Sequence, residues 1–382
     1  MKIVDVQASA LSVPVEGGIT FGIGRVLRRD TVLVRIRTAD GLLGYGESHH
    51  GRAAGSVAHI VNSLLRHFVL GSDAADVVGI WSRIYTMQLR SHGLGAATAI
   101  AMSGIDQALW DIRAKAVGWP LYRLLGGAAR RIKAYAGGVS LGWVAPGALI
   151  EEVGAALALN YKAVKLRVGD TPARDIERVT AVRKAYGEDL AILVDANTNY
   201  TLADALKVIP AYAELGVGWL EEPFAPHDYR SYACADTGRV PLAAGENHYT
   251  RFEFSRLVAD GHVGILQPDL SKSGGLTEGL RIAALGSAWK LPLCPHTATT
   301  GINMAATVHF LAAIDNAGYF EGDISHPNPF RDSLVSAPYE IAPDGTVAPL
   351  EGVGIGVEVD EGFARAHPFI EGPAYAEAVR PS

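Results

Sequence analysis

The chain has little that would make it a secreted, membrane-bound or nucleic-acid-binding protein. Two cysteines, Cys234 and Cys294, occur in 382 residues. That is too few for a disulfide framework, and Cys294, in an apolar run, reads as a buried free thiol. There is no excess of basic charge. The formal net charge is −6, which argues against nucleic acid or an anionic membrane as the main partner. No uninterrupted apolar run reaches membrane-spanning length. The first residues alternate like a strand and lack the apolar core of a signal peptide. A reducing, cytoplasmic setting is the expectation. No glycine loop sits in a phosphate-binding context, and no Ser-His-Asp order is defensible.

What is present is enough apolar residue, 49%, to fill a large core, and a chain long enough for two domains. Residues 1–50 alternate with a turn at Ala39-Asp40-Gly41, as an antiparallel meander does. Between its strands, residues 15–29 are glycine-rich and end in Arg25, Arg28 and Arg29. That stretch reads as a long hairpin loop or a lid, and Arg25 is taken as a contact for an anionic substrate. Residues 53–120 have helical spacing, and Gly118-Trp119-Pro120 stops the long helix that begins near Gly95.

From Lys133 the pattern becomes strand then helix, eight times over. The strand candidates are 133–138, 163–169, 190–197, 217–223, 241–247, 263–270, 291–297 and 318–323. Short apolar strands with helical connectors argue for a closed parallel barrel, whose chemistry lies at the carboxyl ends of the strands. Three consecutive candidates stop on Asp195, Glu221 and Glu246, spaced 26 and 25 residues apart. Three carboxylates at one end of a barrel repel unless a cation neutralises them, and hard oxygen donors suit Mg2+. Alternation puts Lys165 and Arg167 on one face of the second strand. Asp269 and His296 end the sixth and seventh strands, 27 residues apart. A carboxylate there can fix the tautomer of the imidazole and raise its basicity. Glu321 ends the eighth.

This ordered set is Lys165-x-Arg167, Asp195-x-Asn197, Glu221-Glu222-Pro223, Gly245-Glu246-Asn247, Asp269, His296 and Glu321, with the helix of residues 103–127. It resembles the enolase superfamily, mandelate racemase subgroup, over nearly the whole chain. The resemblance implies a (β/α)7β TIM-like barrel under an α+β capping domain built from both termini. The expected limits are 1–128 for the cap, 129–323 for the barrel and 324–382 for a segment returning to the cap. It implies Mg2+ on Asp195, Glu221 and Glu246, and a small carboxylate substrate. Abstraction of its α-proton would be followed by metal stabilisation of the enediolate. It further implies His296 with Asp269 as base, Lys165 at the substrate carboxylate, Glu321 as hydrogen-bond donor to it, and a homo-oligomer, dimer to octamer.

One position departs. The subgroup commonly has a second lysine where this chain has Arg167, and guanidinium does not give up its proton at ordinary pH. A racemase needs a base on each face of the α-carbon; a dehydratase needs one. The departure therefore favours a sugar-acid dehydratase forming a 2-keto-3-deoxy acid. A racemase or epimerase of a 2-hydroxy acid, or a catalytically silent binding barrel, are the alternatives. Asn197 faces inward and is expected to touch substrate. His248 is assigned to a distal hydroxyl or to support of the neighbouring ligands. Lys272 reads as a solvated loop lysine, and His49, His50 and His92 as surface histidines.

Overall fold

The structure, a computed structural model, describes residues 1–377 apart from Gly17, Ile19, Gly93, Leu94 and Ala298. The side chain of His92, read above as a surface group, also lies outside the described residues. In the N-terminal part, β1 (Ile3–Pro14), β4 (Arg28–Thr38) and β5 (Leu43–Ser48) form the antiparallel meander. One face of this sheet packs on the helix Ala96–Ala116, which is buried along most of its length. Gly104 permits that approach. A Cβ there would lie 2.7 Å from the Val34 side chain, closer than side chains pack.

The glycine-rich stretch forms a small hairpin, β2 (Thr20–Phe21) with β3 (Gly24–Val26). The hairpin is strapped by β14 (Tyr375–Ala376) from the other end of the chain. Arg28 reinforces this junction by donating to the carbonyl of Gly372 at 2.6 Å.

The barrel runs in parallel through β6 (Ile132–Gly137), β7 (Ala163–Arg167), β8 (Ala191–Asp195), β9 (Val217–Glu221), β10 (Leu242–Ala244) and β11 (Ile265–Leu266). The last barrel strand, β12 (Tyr319–Asp323), pairs in parallel with β6. The expected seventh strand, 291–297, is reduced to bridges at Leu293, which joins Leu266 on one side and Ala317 on the other. Pro292 and Pro295 flank it and remove two ladder donors. The circuit is nonetheless complete. Cys294 N–H donates to Leu266 O at 2.9 Å and Gly318 N–H to Leu293 O at 2.7 Å. Seven helices, from Pro146–Ala158 to Gly301–Leu311, follow the first seven strand positions, giving (β/α)7β. The antiparallel pair β13 (Thr346–Val347) is added at the foot of β6. Inward side chains including Tyr135, Leu193, Trp219 and Ala243 fill the barrel interior.

Cap and barrel meet along a hydrogen-bonded seam. Asp106 accepts from Thr277 N–H at 2.8 Å, Ser103 Oγ from Gly274 N–H at 2.9 Å, and Thr277 Oγ1 from Trp110 Nε1 at 2.8 Å. The cap helix thus satisfies orphan donors at the start of the barrel helix Gly275–Ala288. Among the described residues, no helix is long and apolar enough to cross a membrane.

Candidate active site at the barrel mouth

Parallel pairing in register aligns the strand ends. Arg167 on β7 stands opposite Asp195 on β8, and Asp195 stands opposite Glu221 on β9. Glu246 lies two residues past β10, after Gly245, whose φ of +150 and contact with Gln267 leave no room for a side chain. Lys165 is fully buried among carboxylates: Glu221 at 2.8 Å, Glu321 at 3.0 Å and Asp195 at 3.6 Å. Arg167 pairs with Asp195, donates to Gly138 O at 2.6 Å and lies 5.2 Å over the Phe21 ring. Burial alone would lower the pKa of both cations. The surrounding carboxylates outweigh it and hold both well above their ordinary values. Neither is a proton acceptor as placed.

The opposite side is built differently. His296 Nδ1 is 2.7 Å from Asp269 Oδ2, and Nε2 is 3.1 Å from Glu246. Asp269 is itself held by Ser271 Oγ at 2.7 Å and Asn303 Nδ2 at 3.1 Å. Gln107 of the cap helix donates to Asn303 Oδ1 at 3.0 Å. Burial works against the charged imidazole. Glu246 first, and then the Asp269 hydrogen bond, push its pKa up to about 9. The structure therefore brings the predicted pair together and orients it from both domains.

Whether these residues suit a divalent cation follows from their donors. Among the described residues, no three His, Cys, Asp or Glu side chains converge into a ready-made cage. Each predicted ligand leans on a different cation: Asp195 on Arg167, Glu221 on Lys165, Glu246 on His296. The set is nonetheless carboxylate-rich and crowded. Burial, with repulsion from Asp195, Glu321 and Glu246 opposing Lys165, pushes Glu221 up to about 7. Glu222 is pushed well above the usual range by burial and by Glu246, and its Oε1 is buried without a hydrogen-bond partner among the described residues. Excess buried oxygen donors of this kind fit a hard cation such as Mg2+.

Above these groups lies a cavity of about 440 Å3, into which Arg167, Asn197, Glu246 and His296 all face. Asn197 has φ of +44 and its backbone N–H donates to Asp195 Oδ1 at 2.7 Å. Lys165, Asp195, Glu221, Asp269 and Glu321 sit buried beneath. One expected contact is turned away from the cavity. Arg25 is exposed, because alternation in β3 turns Gly24 and Val26 inward and Arg25 out; Arg28 and Arg29 line the cavity in its place. His248 is buried between Tyr229 and Phe254, with Nε2 3.1 Å from Pro226 O.

Three residues read as surface groups prove to be walls. Lys272 is 4% exposed, 3.2 Å from Asn247 Oδ1 and 3.8 Å from Glu246. His49 and His50 close the cap side of the cavity. Lys272 carried a usable signal, since it follows a barrel strand at the end where the other site residues lie. Tyr375, also on the wall, carried none.

Family models place the two parts independently. Residues 3–126 match the mandelate racemase / muconate lactonizing enzyme N-terminal domain, and residues 148–363 match the enolase C-terminal domain-like family. The chain belongs to the enolase superfamily. Among superfamily relatives, the D-galactarolactone cycloisomerase of Agrobacterium fabrum is 34% identical, covering 87% of this chain and 90% of its own. The arabinonate dehydratase of Saccharolobus solfataricus is 33% identical, covering 87% and 89%. A crystal structure of an enolase superfamily member from Polaromonas sp. JS666 is 50% identical. It superposes with a TM-score of 0.96, covering 98% of this chain and 100% of that one.

Proposed function

We propose that this superfamily member is a Mg2+-dependent dehydratase of a sugar acid, converting a 2,3-dihydroxy carboxylate to a 2-keto-3-deoxy acid. One asymmetry carries the reading. The cavity has a histidine–aspartate pair on one side, while on the other side, among the described residues, stand Lys165 and Arg167, both locked to carboxylates. A single base serves elimination and does not serve two-sided racemisation.

Asp195, Glu221 and Glu246 would hold the cation, with Glu222 beside them. When bound, Mg2+ supplies stabilisation of the negative charge that develops on the substrate carboxylate. His296 removes the α-proton through Nε2, with Asp269 holding Nδ1–H and the ring orientation. The imidazole is free to accept that proton only once Glu246 is engaged elsewhere, because Glu246 is the largest attraction holding its own second proton. The electrons of the C–H bond pass onto the substrate carboxylate to give the enediolate, then return to form the Cα–Cβ double bond as the C–O bond to the β-hydroxyl breaks. The hydroxyl leaves as water with the proton returned by the imidazolium, and the enol becomes the keto acid. Arg167 and Lys165 stay protonated throughout, as fixed positive charge near the carboxylate.

Cycloisomerisation is the second reading, since a cycloisomerase is as similar to this chain as the dehydratase relative is. The two differ in product mass, because only dehydration loses water. The test is incubation of acid sugars in D2O with and without EDTA. The expected result is a semicarbazide-reactive keto acid, abolished by EDTA and restored by Mg2+. Full turnover after exhaustive chelation, or a product of unchanged mass, would overturn it.

A further inference from the structure

The cap-side wall of the cavity has a feature that α-proton chemistry does not use. At the end of β5 the chain turns through Gly51 and Arg52, both with left-handed φ, +52 and +59. Arginine seldom adopts this conformation. The turn sends two backbone N–H groups back onto the preceding rings. Gly51 N–H donates to His49 Nδ1 at 3.0 Å, and Arg52 N–H donates to His50 Nδ1 at 3.0 Å. A nitrogen that accepts a hydrogen bond carries no proton. Each neutral ring therefore bears its hydrogen on Nε2. The rings lie side by side, centroids 4.0 Å apart. Burial, with Lys272 and Arg52 nearby, pushes His50 down to about 3 and His49 well below its ordinary value, so both stay neutral. No protein acceptor for either Nε2–H occurs among the described residues. The ring of Tyr375, brought by the C-terminal strand β14, stacks on His50 at 6.2 Å.

The cations on this side already have carboxylate partners. Arg28 pairs with Asp30 at 2.9 Å, Arg29 with Asp323 at 3.6 Å, and Lys272 lies 3.8 Å from Glu246. Arg52 is exposed and lies over Tyr375 at 4.7 Å, where water screens its charge. A second carboxylate driven against this wall would lose its hydration without a matched cation. Hydroxyl oxygens, by contrast, suit neutral N–H donors.

We propose that His49, His50 and Tyr375 form a subsite for the uncharged polyhydroxy tail of a monocarboxylic sugar acid. The two imidazoles donate Nε2–H hydrogen bonds to its hydroxyl oxygens, and Tyr375 completes the wall beside His50. The inference rests on the reading of the cavity as a sugar-acid site and narrows it to aldonates over aldarates.

The test measures kcat/KM for six-carbon aldonates, for the matching six-carbon aldarates and for glycerate, with α-proton exchange in D2O followed in parallel. The wild-type protein should favour the monoacid over the diacid. Replacing both histidines by phenylalanine (His49→Phe with His50→Phe) keeps the rings and removes the donors. It should lower the aldonate-to-glycerate ratio roughly 10- to 100-fold. His50→Gln, which restores an N–H near the same place, should keep the ratio within about threefold, and His50→Phe alone serves if the double variant does not fold. An unchanged ratio in the phenylalanine variants, or a wild-type preference for the diacid, overturns the subsite while α-proton exchange upholds the reaction. Absence of exchange with every acid overturns both readings.

Discussion

At the barrel mouth, Glu321 is buried and Glu246 half-buried beside His296, Lys165, Arg167 and Lys272. At the seam between cap and barrel, Asp106 and Glu47 are buried among hydroxyls and amides. Glu246 and Glu321 have their pKa values held low against the effect of burial, because cations surround them, while Glu221 and Glu222 beside them are pushed up by burial and by the neighbouring carboxylates. The seam carboxylates drift the other way, Asp106 to about 7 and Glu47 to about 8, with burial the largest cause. Thr300 and Thr277 donate to them, which only partly offsets the desolvation. The difference teaches what a buried acid is for. Where cations outweigh burial and repulsion, as at Glu246 and Glu321, it keeps its charge and can organise a reaction; with neutral donors only, it tends to keep a proton and acts as interdomain glue.

The largest expected effect tests the mouth. His296→Asn should reduce turnover and α-proton exchange by about 10²–10⁴-fold, with Mg2+ binding retained in calorimetry. Exchange at the wild-type rate in this variant, together with its loss in Lys165→Ala, would move the base to Lys165.

A smaller effect sharpens the contrast between the two sides of the cavity. Arg167→Lys replaces a guanidinium that cannot yield its proton with an amine that can, if its pKa falls. Dehydration should fall roughly tenfold, as the Gly138 and Asp195 contacts loosen. Deuterium should begin to enter with inverted configuration, detectable by chiral analysis of recovered substrate. Continued retention only would show that something besides the side chain at position 167 excludes a second base.

The smallest effect concerns the seam and is a matter of pH. Asp106 has its folded pKa raised to about 7, against an unfolded value of about 3.9. Below about 4 both states are protonated. Between about 4 and 7 the folded state holds a proton that the unfolded state has lost, so this group's stabilisation is lost as pH rises through that window. Asp106→Asn removes the titration. Relative to wild type, its unfolding free energy in urea should improve between pH 5 and pH 8, by an amount on the order of 2–3 kcal/mol. A difference between the two proteins that does not change with pH would show that the Asp106 carboxyl does not titrate in this range.

Much of the site was legible because a barrel repeats. Each strand end arrives at a regular interval, and alternation decides which side chains face the mouth, so Lys165, Arg167, Asp195, Glu221, Asp269 and His296 could be picked out by spacing and chemistry. Spacing was a poorer guide at Arg25. It lies in a three-residue strand, where one residue of register reverses inside and outside. Spacing was poorer again at positions 291–297, where prolines leave a strand position with bridges only at Leu293.

The sequence by itself determined the barrel and the order of the chemical groups at its strand ends, with an arginine at position 167, because these depend on local period and on the nature of single side chains. Only the tertiary structure decided how the cap completes the cavity. The tautomers of His49 and His50 depend on a two-residue turn with left-handed φ. Gln107 reaches Asn303 across 196 residues of chain, and Tyr375 reaches His50 from the opposite end. Such contacts leave no period in the sequence. They exist because one continuous hydrophobic core runs through cap and barrel and brings distant side chains within hydrogen-bonding reach.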